Sequence, residues 1–262
     1  SNFISINMKK KTKKVNAAIL IIGDEILSGR TQDKNVTFIS KWLNESCGIS
    51  VDEVRIIQDK ESSIINNIKN LSKKFNYVFT TGGIGPTHDD ITAKSVSKAF
   101  KVKYDFNKEA YSILENYYGK KDFNDGRKKM AKLPATSKLI YNPSSAAPGF
   151  KIRNVLCLPG VPSILKSMIE NTKRFLQKGS KTYSETINVL SVESNIARAL
   201  TITQNKFKKD VSIGSYPFFR LGRVGVSIVF RSSNKKRLKK CLIIIKKILK
   251  ERKIKIFKIS RK

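Results

Sequence analysis

Carboxylates follow each of three apolar segments in the first third of the chain. They are Asp24 with Glu25, Asp59, and Asp89 with Asp90. Because the carboxyl ends of parallel strands lie along one edge of an open α/β sheet, we expect these side chains to converge. Carboxylate oxygens are ligands that Mg²⁺-like ions prefer. The pattern predicts that Asp59, Asp89 and Asp90 hold or orient a divalent metal ion; for Asp59 alone, the alternative is a helix cap.

The last carboxylate pair lies in a glycine-rich stretch, residues 80–92. Gly82, Gly83 and Gly85 let backbone N–H groups approach a phosphate without Cβ interference, and a helix N-terminus adds partial positive charge. Paired carboxylates would repel a bare phosphate, which indicates a cation between them and the ligand. The alternative is that this stretch is only a tight connection between a strand and a helix.

Cleavage of a phosphoanhydride needs charge neutralisation, an oriented water and a leaving phosphate. Asp24 or Glu25, in a polar, glycine-bounded loop that we expect over residues 23–29, would position that water or bind a ligand hydroxyl. His88, the single histidine, would donate a proton to the leaving phosphate; a loop-ordering hydrogen bond is the other interpretation. Residues 142–150 are mostly small residues and prolines, so we expect a loop there, and residues 142–149 would wall a flat ring system.

Composition is typical of a globular protein with an extreme charge. The 262 residues include 40% hydrophobic residues, enough for one good core or two modest ones, and the net charge is +33. Because the lysines are spread over the whole chain, we interpret most of this charge as compositional bias, and nucleic acid is the less favoured partner. Cys47, Cys157 and Cys241 have no paired spacing, which predicts small buried hydrophobic residues rather than a disulfide set or a zinc site.

The basic start, residues 8–14, precedes an apolar run that is short and lacks a small-residue cleavage site, so we do not expect a signal peptide. No stretch approaches the ~20 apolar residues that span a bilayer. We expect a cytoplasmic protein with no membrane partner.

The order of apolar segments predicts two domains. In residues 15–178, strands alternate with helices, which is typical of a doubly wound, mostly parallel α/β sheet, with Asp33 and Ser163 as helix caps. Helices within 109–130 interrupt this rhythm, and we expect this excursion from the sheet to cover the site. Residues 183–260 have the order β-α-β-β-α-β of a smaller ferredoxin-like α+β domain, with a turn at residues 214–217.

Five motifs of the first domain resemble one known family. They are residues 23–29, Asp33 with Asn35, residues 81–92 with Asp59, residues 142–150, and residues 158–162. In these motifs the chain resembles the molybdopterin-binding (MoaB/Mog-like) domain, in the form found in competence/damage-inducible protein A. His88 and residues 213–217 are similar to the molybdopterin-binding-like half of FAD synthases and their stand-alone bacterial relatives.

The resemblance implies binding of molybdopterin or a nucleotide, hydrolysis of a pyrophosphate bond of the ADP-ribose or FAD type with Mg, Mn or Co, and assembly into homo-oligomers. A non-hydrolytic molybdopterin binder or transferase is the alternative, and a nucleic-acid-binding module is a second one. The ligand-binding residues that it implies are Gly23, Ser28, Gly29, Asn35, Thr81, Gly82, Gly83, Gly85, Pro86, Thr87, Asn142, Pro143, Ser145, Ala147, Pro148, Gly149, Pro159 and Gly160.

The chain departs from the family pattern at two positions: Ser145 stands at a common glycine, and Ile164 replaces a usual Glu. No amidohydrolase or nucleotidyltransferase segment follows, so we expect neither deamidation of nicotinamide mononucleotide nor FAD synthesis. The densely basic segment 235–262 could bind nucleic acid, or it is a solvated face of a lysine-rich protein.

Overall fold

The computed structural model describes residues 14–220 and 222–257. The chain divides between Ser180 and Lys181 into two compact units. Most of the basic start 8–14, and the ends of the predicted domain 183–260 and of the basic segment 235–262, lie outside the described residues.

The first unit contains a six-stranded sheet with the order β2-β1-β3-β8-β7-β6. The first four of these strands are parallel, and β7 and β6 are antiparallel. Strands β4 and β5 form a separate antiparallel pair. The strands of this unit are β1 (Asn16–Ile22), β2 (Ser50–Ile57), β3 (Tyr77–Thr81), β4 (Tyr104–Phe106), β5 (Lys132–Pro134), β6 (Lys138–Ile140), β7 (Gly149–Ile152) and β8 (Val155–Leu158).

Helices cover both faces of the six-stranded sheet. They are α1 (Asp24–Leu27), α2 (Asn35–Trp42) with a π-helical turn (Leu43–Cys47), α3 (Glu61–Lys74), α4 (Thr92–Phe100), α5 (Lys108–Tyr118), α6 (Asp125–Lys129) and α7 (Pro162–Met168) with a 3-10 turn (Ile169–Phe175).

The side chains of β1 alternate between two hydrophobic cores. Ala18, Leu20 and Ile22 pack with α3 and α4, whereas Ile19 and Ile21 pack with α2 and α7. Because both faces of β1 are covered, the strand is a continuous apolar run, as in other parallel sheets. The predicted doubly wound, mostly parallel sheet is confirmed.

Three local predictions in the first unit need correction. Residues 23–29, expected to be a loop, contain the short helix α1. Ser163 lies inside α7, because Pro162 occupies the first helical position, where its missing N–H costs nothing. Gly149 and Phe150, assigned to the loop after Asn142, belong to β7, since Gly149 can pack against the Cys157 carbonyl, which a Cβ would approach to 2.4 Å.

The second unit is a four-stranded antiparallel sheet with the order β10-β11-β9-β12 and two helices. Its elements are β9 (Tyr183–Val189), α8 (Glu193–Phe207), β10 (Ser212–Arg220), β11 (Arg223–Ser232), α9 (Lys235–Glu251) and β12 (Ile256–Phe257). This chain order is the predicted β-α-β-β-α-β, and β9, β11 and both helices contribute buried residues to one separate core.

The turn predicted at residues 214–217 is wrong. These residues lie within β10, where Gly214 pairs with Val229 and Pro217 with Val226 of β11. Strand β10 is an edge strand, and an edge strand tolerates proline because one side of its backbone has no strand partner.

The three cysteines are free and buried, as predicted. Burial raises the pKa of the Cys157 thiol to about 12, which keeps it protonated and unreactive at neutral pH. Within residues 14–220 and 222–257, no helix is long and apolar enough to cross a membrane.

Candidate functional site

A cleft of about 560 Å³ lies at the carboxyl ends of the parallel strands of the first unit. Carboxylates from all three predicted groups reach it. The predicted site residues that line the cleft are Glu25, Asp59, Gly82, Gly83, Gly85, Pro86, Thr87, Asp89, Asp90, Asn142, Ser145, Ala147, Pro159 and Gly160. Strand ends far apart in sequence therefore meet, as expected for the edge of an open α/β sheet.

Asp59 joins the first two strand ends. Its Oδ2 accepts a 2.9 Å hydrogen bond from the backbone N–H of Asp24, the first residue of α1, and the Gly23 N–H donates to the Ile57 carbonyl at 3.1 Å. Asp59 therefore binds the start of α1, and in the described structure no side chain caps α3, the helix that follows it.

The Asp59 carboxyl has an unfavourable environment for its charge. Burial raises the pKa of this carboxyl, and the negative charges of Asp24, Glu25 and Asp89 raise it further, against the lowering effect of the Asp24 N–H. A carboxylate that is half-buried among other carboxylates is stabilised by a proton or a bound cation.

The glycine loop is packed too closely for side chains. Gly82 has φ 98° and its N–H donates to the Leu158 carbonyl at 3.1 Å, and a Cβ on it would lie 2.1 Å from the Ile22 carbonyl oxygen. A Cβ on Gly83, at φ 68°, would lie 2.2 Å from the hydroxyl of Thr92. Both glycines are required by the close approach of β1, β3 and α4.

Thr92 closes the loop onto α4. Its hydroxyl donates to the Gly82 carbonyl at 3.0 Å and its N–H donates to the Gly83 carbonyl at 2.9 Å. The first N–H of α4 is thus occupied by the loop itself, so a ligand phosphate would have to use other donors of the loop.

Thr87 organises the carboxylate end of the loop. Its hydroxyl lies 2.5 Å from Asp89 Oδ1 and 2.5 Å from Asp90 Oδ2, and its N–H donates to Asp90 Oδ2 at 2.8 Å. The hydrogen bond from Thr87 holds the pKa of the Asp89 carboxyl below its usual value. Since one hydroxyl proton serves two carboxylate oxygens, at any moment one of them lacks that donor.

Lys129, the last residue of α6 and part of the predicted excursion, contacts the same loop. Its Nζ donates to the carbonyl oxygen of Thr87. The Lys129 and His88 charges also contribute to the low pKa of Asp89. His88 itself is exposed and does not appear among the described residues that line the cleft.

Asn142 orders the loop between β6 and β7 through its side-chain amide. Its buried amide donates to Ser145 Oγ at 2.8 Å and to the Ala147 carbonyl at 2.9 Å. Its Oδ1 accepts from the N–H groups of Ser144 and Ser145 at 2.9 and 3.0 Å. With both ends of its amide engaged, Asn142 positions the loop that faces the cleft.

The predicted site residues that do not line the cleft are Gly23, Asp24, Ser28, Gly29, Asn35, Thr81, His88, Pro143, Pro148 and Gly149. Some of these residues form hydrogen bonds to residues that line the cleft, as Asp24 does to Asp59. Buried Asn35 donates its amide to the Gly160 carbonyl at 2.8 Å, and Asp33 accepts from the Asn35 and Val36 N–H groups, as its predicted capping role requires.

Apolar side chains, which we call the apolar wall, also line the cleft. Besides Pro159, the apolar wall includes residues that sequence reasoning did not assign to the site: Ile22, Ile84, Tyr118, Met130, Val161, Pro162 and Ile164. Tyr118 ends α5 and Met130 follows α6. The sequence pattern that indicated both was the excursion predicted within residues 109–130. The polar Thr31 was also missed.

The carboxylates fit a cation that arrives with a phosphate. Within the described part of the chain, no group of three His, Cys, Asp or Glu side chains is arranged to hold a metal by itself. However, Mg²⁺ is commonly bound by one or two carboxylates together with substrate phosphates and water. The crowded charge at Asp59 and Asp89 is suited to that mode of binding and not to a dedicated protein cage.

Comparison with known proteins gives matches in both units. A family model described as a probable molybdopterin binding domain matches residues 18–178, and one described as FAD synthase, middle domain, matches residues 181–258. A CinA-like protein of Sulfurihydrogenibium is 36% identical over 68% of this chain and 47% of its own length. A probable FAD synthase of Caenorhabditis briggsae is 27% identical over 89% of this chain and 49% of its own length.

The chain thus spans about half the length of these two relatives. An archaeal protein from Archaeoglobus fulgidus is 31% identical over 89% of this chain and 98% of its own length. The solved structure of the protein CinA with unknown function from Thermoplasma acidophilum matches 62% of this chain and 98% of its own, with 30% identity and a TM-score of 0.58. The resemblance inferred from the sequence motifs is confirmed, and the chain belongs to the probable molybdopterin binding domain family.

Proposed function

We propose that the cleft binds a phosphorylated nucleotide or pterin and hydrolyses a pyrophosphate bond, of the ADP-ribose or FAD type, with a divalent metal ion. The observation that supports this most is the meeting of Asp59 and Asp89, from two strand ends, beside the glycine loop in one cleft. Such a site binds phosphates only when the negative charge of the carboxylates is neutralised.

Asp59, Asp89 and Asp90 would hold the ion, and the pyrophosphate would lie along Gly82, Gly83 and Gly85. When bound there, Mg²⁺, Mn²⁺ or Co²⁺ would neutralise phosphate charge and lower the pKa of a coordinated water. Asp90 keeps one oxygen on Thr87, so its second oxygen is the one available.

Glu25 lines the cleft and would accept a proton from the attacking water. The water oxygen bonds to one phosphorus, the P–O–P bridge to the other phosphorus breaks, and a proton passes to the leaving phosphate. His88 remains our proposed donor of that proton; its side chain is exposed, and it is next in sequence to Asp89, which lines the cleft.

The apolar wall would hold the ring of the ligand. Pro159, Val161, Ile164 and Tyr118 offer flat or branched apolar surfaces within the cleft. The name of the FAD synthase relative makes FAD a natural first compound to test, together with ADP-ribose.

The experiment is a turnover screen of the pure protein against pyrophosphate-linked nucleotides, with Mg²⁺, Mn²⁺ or Co²⁺ and with EDTA. We expect mononucleotides from at least one compound, only with metal, and strongly reduced release by Asp90→Ala. Absence of metal-dependent release from every compound, or release that Asp90→Ala leaves unchanged, would contradict hydrolysis.

A second candidate function is non-hydrolytic binding or transfer of molybdopterin. The hydrogen bonds of Asp90 to Thr87 favour it, since they give Asp90 a structural task that needs no metal. Calorimetry with molybdopterin and its adenylylated form separates the two functions: tight pterin binding without nucleotide turnover would support the second.

We further propose that the protein acts in the cytoplasm as a homo-oligomer. Sedimentation of the pure chain at several concentrations tests the assembly; a single monomeric species at all of them would contradict it.

A further inference from the structure

One side of α9, in the second unit, carries a dense row of lysines. Eight of the 17 residues of this helix are Lys or Arg, and one, Glu251, is acidic. Spacings of three, four and seven residues place six lysines around Ile243, whose exposed fraction is 68%. We call this surface the lysine face; its lysines, all exposed, are Lys236, Lys239, Lys240, Lys246, Lys247 and Lys250.

The opposite side of α9 fixes this orientation. Leu238, Cys241, Ile245 and Leu249 are at most 2% exposed and belong to the core of the second unit. Because the apolar side is already used inside the protein, the helix cannot turn it toward another surface. The lysine face is therefore held outward.

The charges of the lysine face are almost unpaired. Among the residues that the structure describes, Lys247 is the only one of the six with an acidic partner, Glu251, at 4.0 Å. By contrast, Lys74 and Lys98 of the first unit lie 2.5 and 2.7 Å from glutamates. Like charges at helical spacing repel each other, and an anionic partner would relieve that repulsion.

A groove of about 420 Å³ continues the lysine face at the C-terminal end of α9. Its lining consists of Lys246, Lys250, Lys253 and Lys255 with Ile254 and Ile256. Lys253 has φ 58°, the left-handed conformation in which helix ends strongly favour Gly or Asn. Lysine is therefore unusual at this position, and it is one of the four positive charges that line the groove.

We propose that the lysine face and its groove bind the phosphate backbone of double-helical nucleic acid without reading its sequence. Lysine is a compact charge that suits phosphate, whereas base reading and stacking use Arg, Asn, Gln and aromatic side chains. From Lys236 to Lys250 the face extends roughly 21 Å, over which a duplex presents a negative charge about every 1.7 Å. The control variant below separates this local row from the chain-wide spread of lysines, and the proposal does not depend on the function of the cleft.

The test is fluorescence anisotropy of the full chain with a labelled random-sequence DNA duplex of two helical turns, across a range of salt concentrations. Each phosphate neutralised contributes about 0.9 to the slope of log affinity against log salt. The variant Lys239→Gln/Lys246→Gln/Lys250→Gln should therefore lower this slope by about 2 to 3 and weaken binding at least ~10-fold at low salt.

A matched control removes the same charge from exposed lysines of the first unit, with Lys69→Gln/Lys73→Gln/Lys108→Gln. We expect it to leave affinity within ~2-fold, since these lysines lie outside the lysine face. A third variant, Lys253→Gly, relieves the left-handed backbone while removing one groove charge, so it should fold at least as well and lower the slope by about 0.9.

Three results would overturn the proposal. One is no association with the duplex at low salt. Another is equal weakening by the control triple variant, which would assign binding to the net charge of +33 as a whole. The third is binding to vesicles of anionic lipid that depends on the lysine face while duplex binding does not.

Discussion

The carboxylate of Asp59 accepts a 2.9 Å hydrogen bond from the backbone N–H of Asp24. This bond links the end of β2 to the helix that follows β1 and holds Asp59 among the charges of Asp24, Glu25 and Asp89. Burial, and then these three negative charges, raise the pKa of the Asp59 carboxyl above its usual value, although the hydrogen bond from Asp24 lowers it.

We predict that Glu25→Gln lowers the pKa of Asp59, because it removes one of the repelling charges. A raised pKa in the folded state means that the stabilising contribution of Asp59 is present below its unfolded pKa and is lost as pH rises through the folded pKa. Glu25→Gln should therefore increase stability toward neutral pH in the absence of divalent ions. Carbon-13 NMR titration of the carboxyl groups measures the shift.

The control for this prediction is Glu45→Gln, which removes an exposed charge on the π-helical turn. It should leave the Asp59 titration unchanged. An equal shift in both variants would show that Glu25 has no specific effect.

Thr87 gives a sharper test of the loop. Thr87→Val keeps the shape of the side chain but removes the hydroxyl that lies 2.5 Å from both Asp89 and Asp90. We expect ligand affinity or turnover to fall about 10-fold, which corresponds to the loss of roughly one charge-assisted hydrogen bond. Thr87→Ser retains the hydroxyl and should stay within about 2-fold. Equal losses in the two variants would assign the effect to packing of the methyl group.

The glycine loop predicts a difference between two alanine variants. Gly82→Ala meets both a left-handed backbone and the Ile22 carbonyl, whereas a Cβ on Gly29, at φ 74°, would have no described atom within 4 Å. We expect Gly29→Ala to cost about 1 kcal/mol and Gly82→Ala about 3 kcal/mol or more. Urea unfolding, followed through the transition of the first unit, measures both; equal costs would mean that the close approach to Ile22 is unimportant.

Asn142 should matter through its four hydrogen bonds. Asn142→Ala leaves the Ser144 and Ser145 N–H groups and the Ala147 carbonyl without their partner, which we expect to destabilise the first unit by about 2 kcal/mol and to weaken ligand binding. The comparison variant is Asn171→Ala, whose exposed amide makes one bond, to the Tyr141 carbonyl, and should cost under about 0.5 kcal/mol. Thermal unfolding compares the two, and similar costs would remove Asn142 from its loop-organising role.

The convergence of the carboxylates could be predicted from the sequence because continuous apolar runs such as β1 indicate parallel strands. Parallel strands place their carboxyl ends at one edge, which fixes the neighbourhood of Asp59 and Asp89 without further information. The hydrogen bond between Asp59 and Asp24 could not be predicted, since it depends on Asp24 beginning a helix where a loop was expected.

Other features depend on contacts that a local pattern does not record. Gly214 and Pro217 resemble turn residues, yet they belong to an edge strand, where pairing with β11 on one side outweighs local preference. The sequence places Tyr118 and Met130 in the excursion but does not predict that their side chains line the cleft. The packing of helices that interrupt the sheet depends on residues distant in sequence.

Metal-dependent hydrolysis of a pyrophosphate bond by the carboxylates of the cleft is tested most directly by a single-turnover reaction. Three proteins are each incubated with ADP-ribose and Mn²⁺ in ¹⁸O-labelled water: the unaltered protein, Asp59→Asn and the control Asp105→Asn. The Asp105 carboxylate pairs with Lys103 outside the cleft. We predict AMP and ribose 5-phosphate with one labelled oxygen per cleaved bond, a loss of at least ~100-fold in Asp59→Asn and none in Asp105→Asn. Intact ADP-ribose in every sample, with FAD also intact under the same conditions, or equal rates for Asp59→Asn and the unaltered protein, would contradict this function.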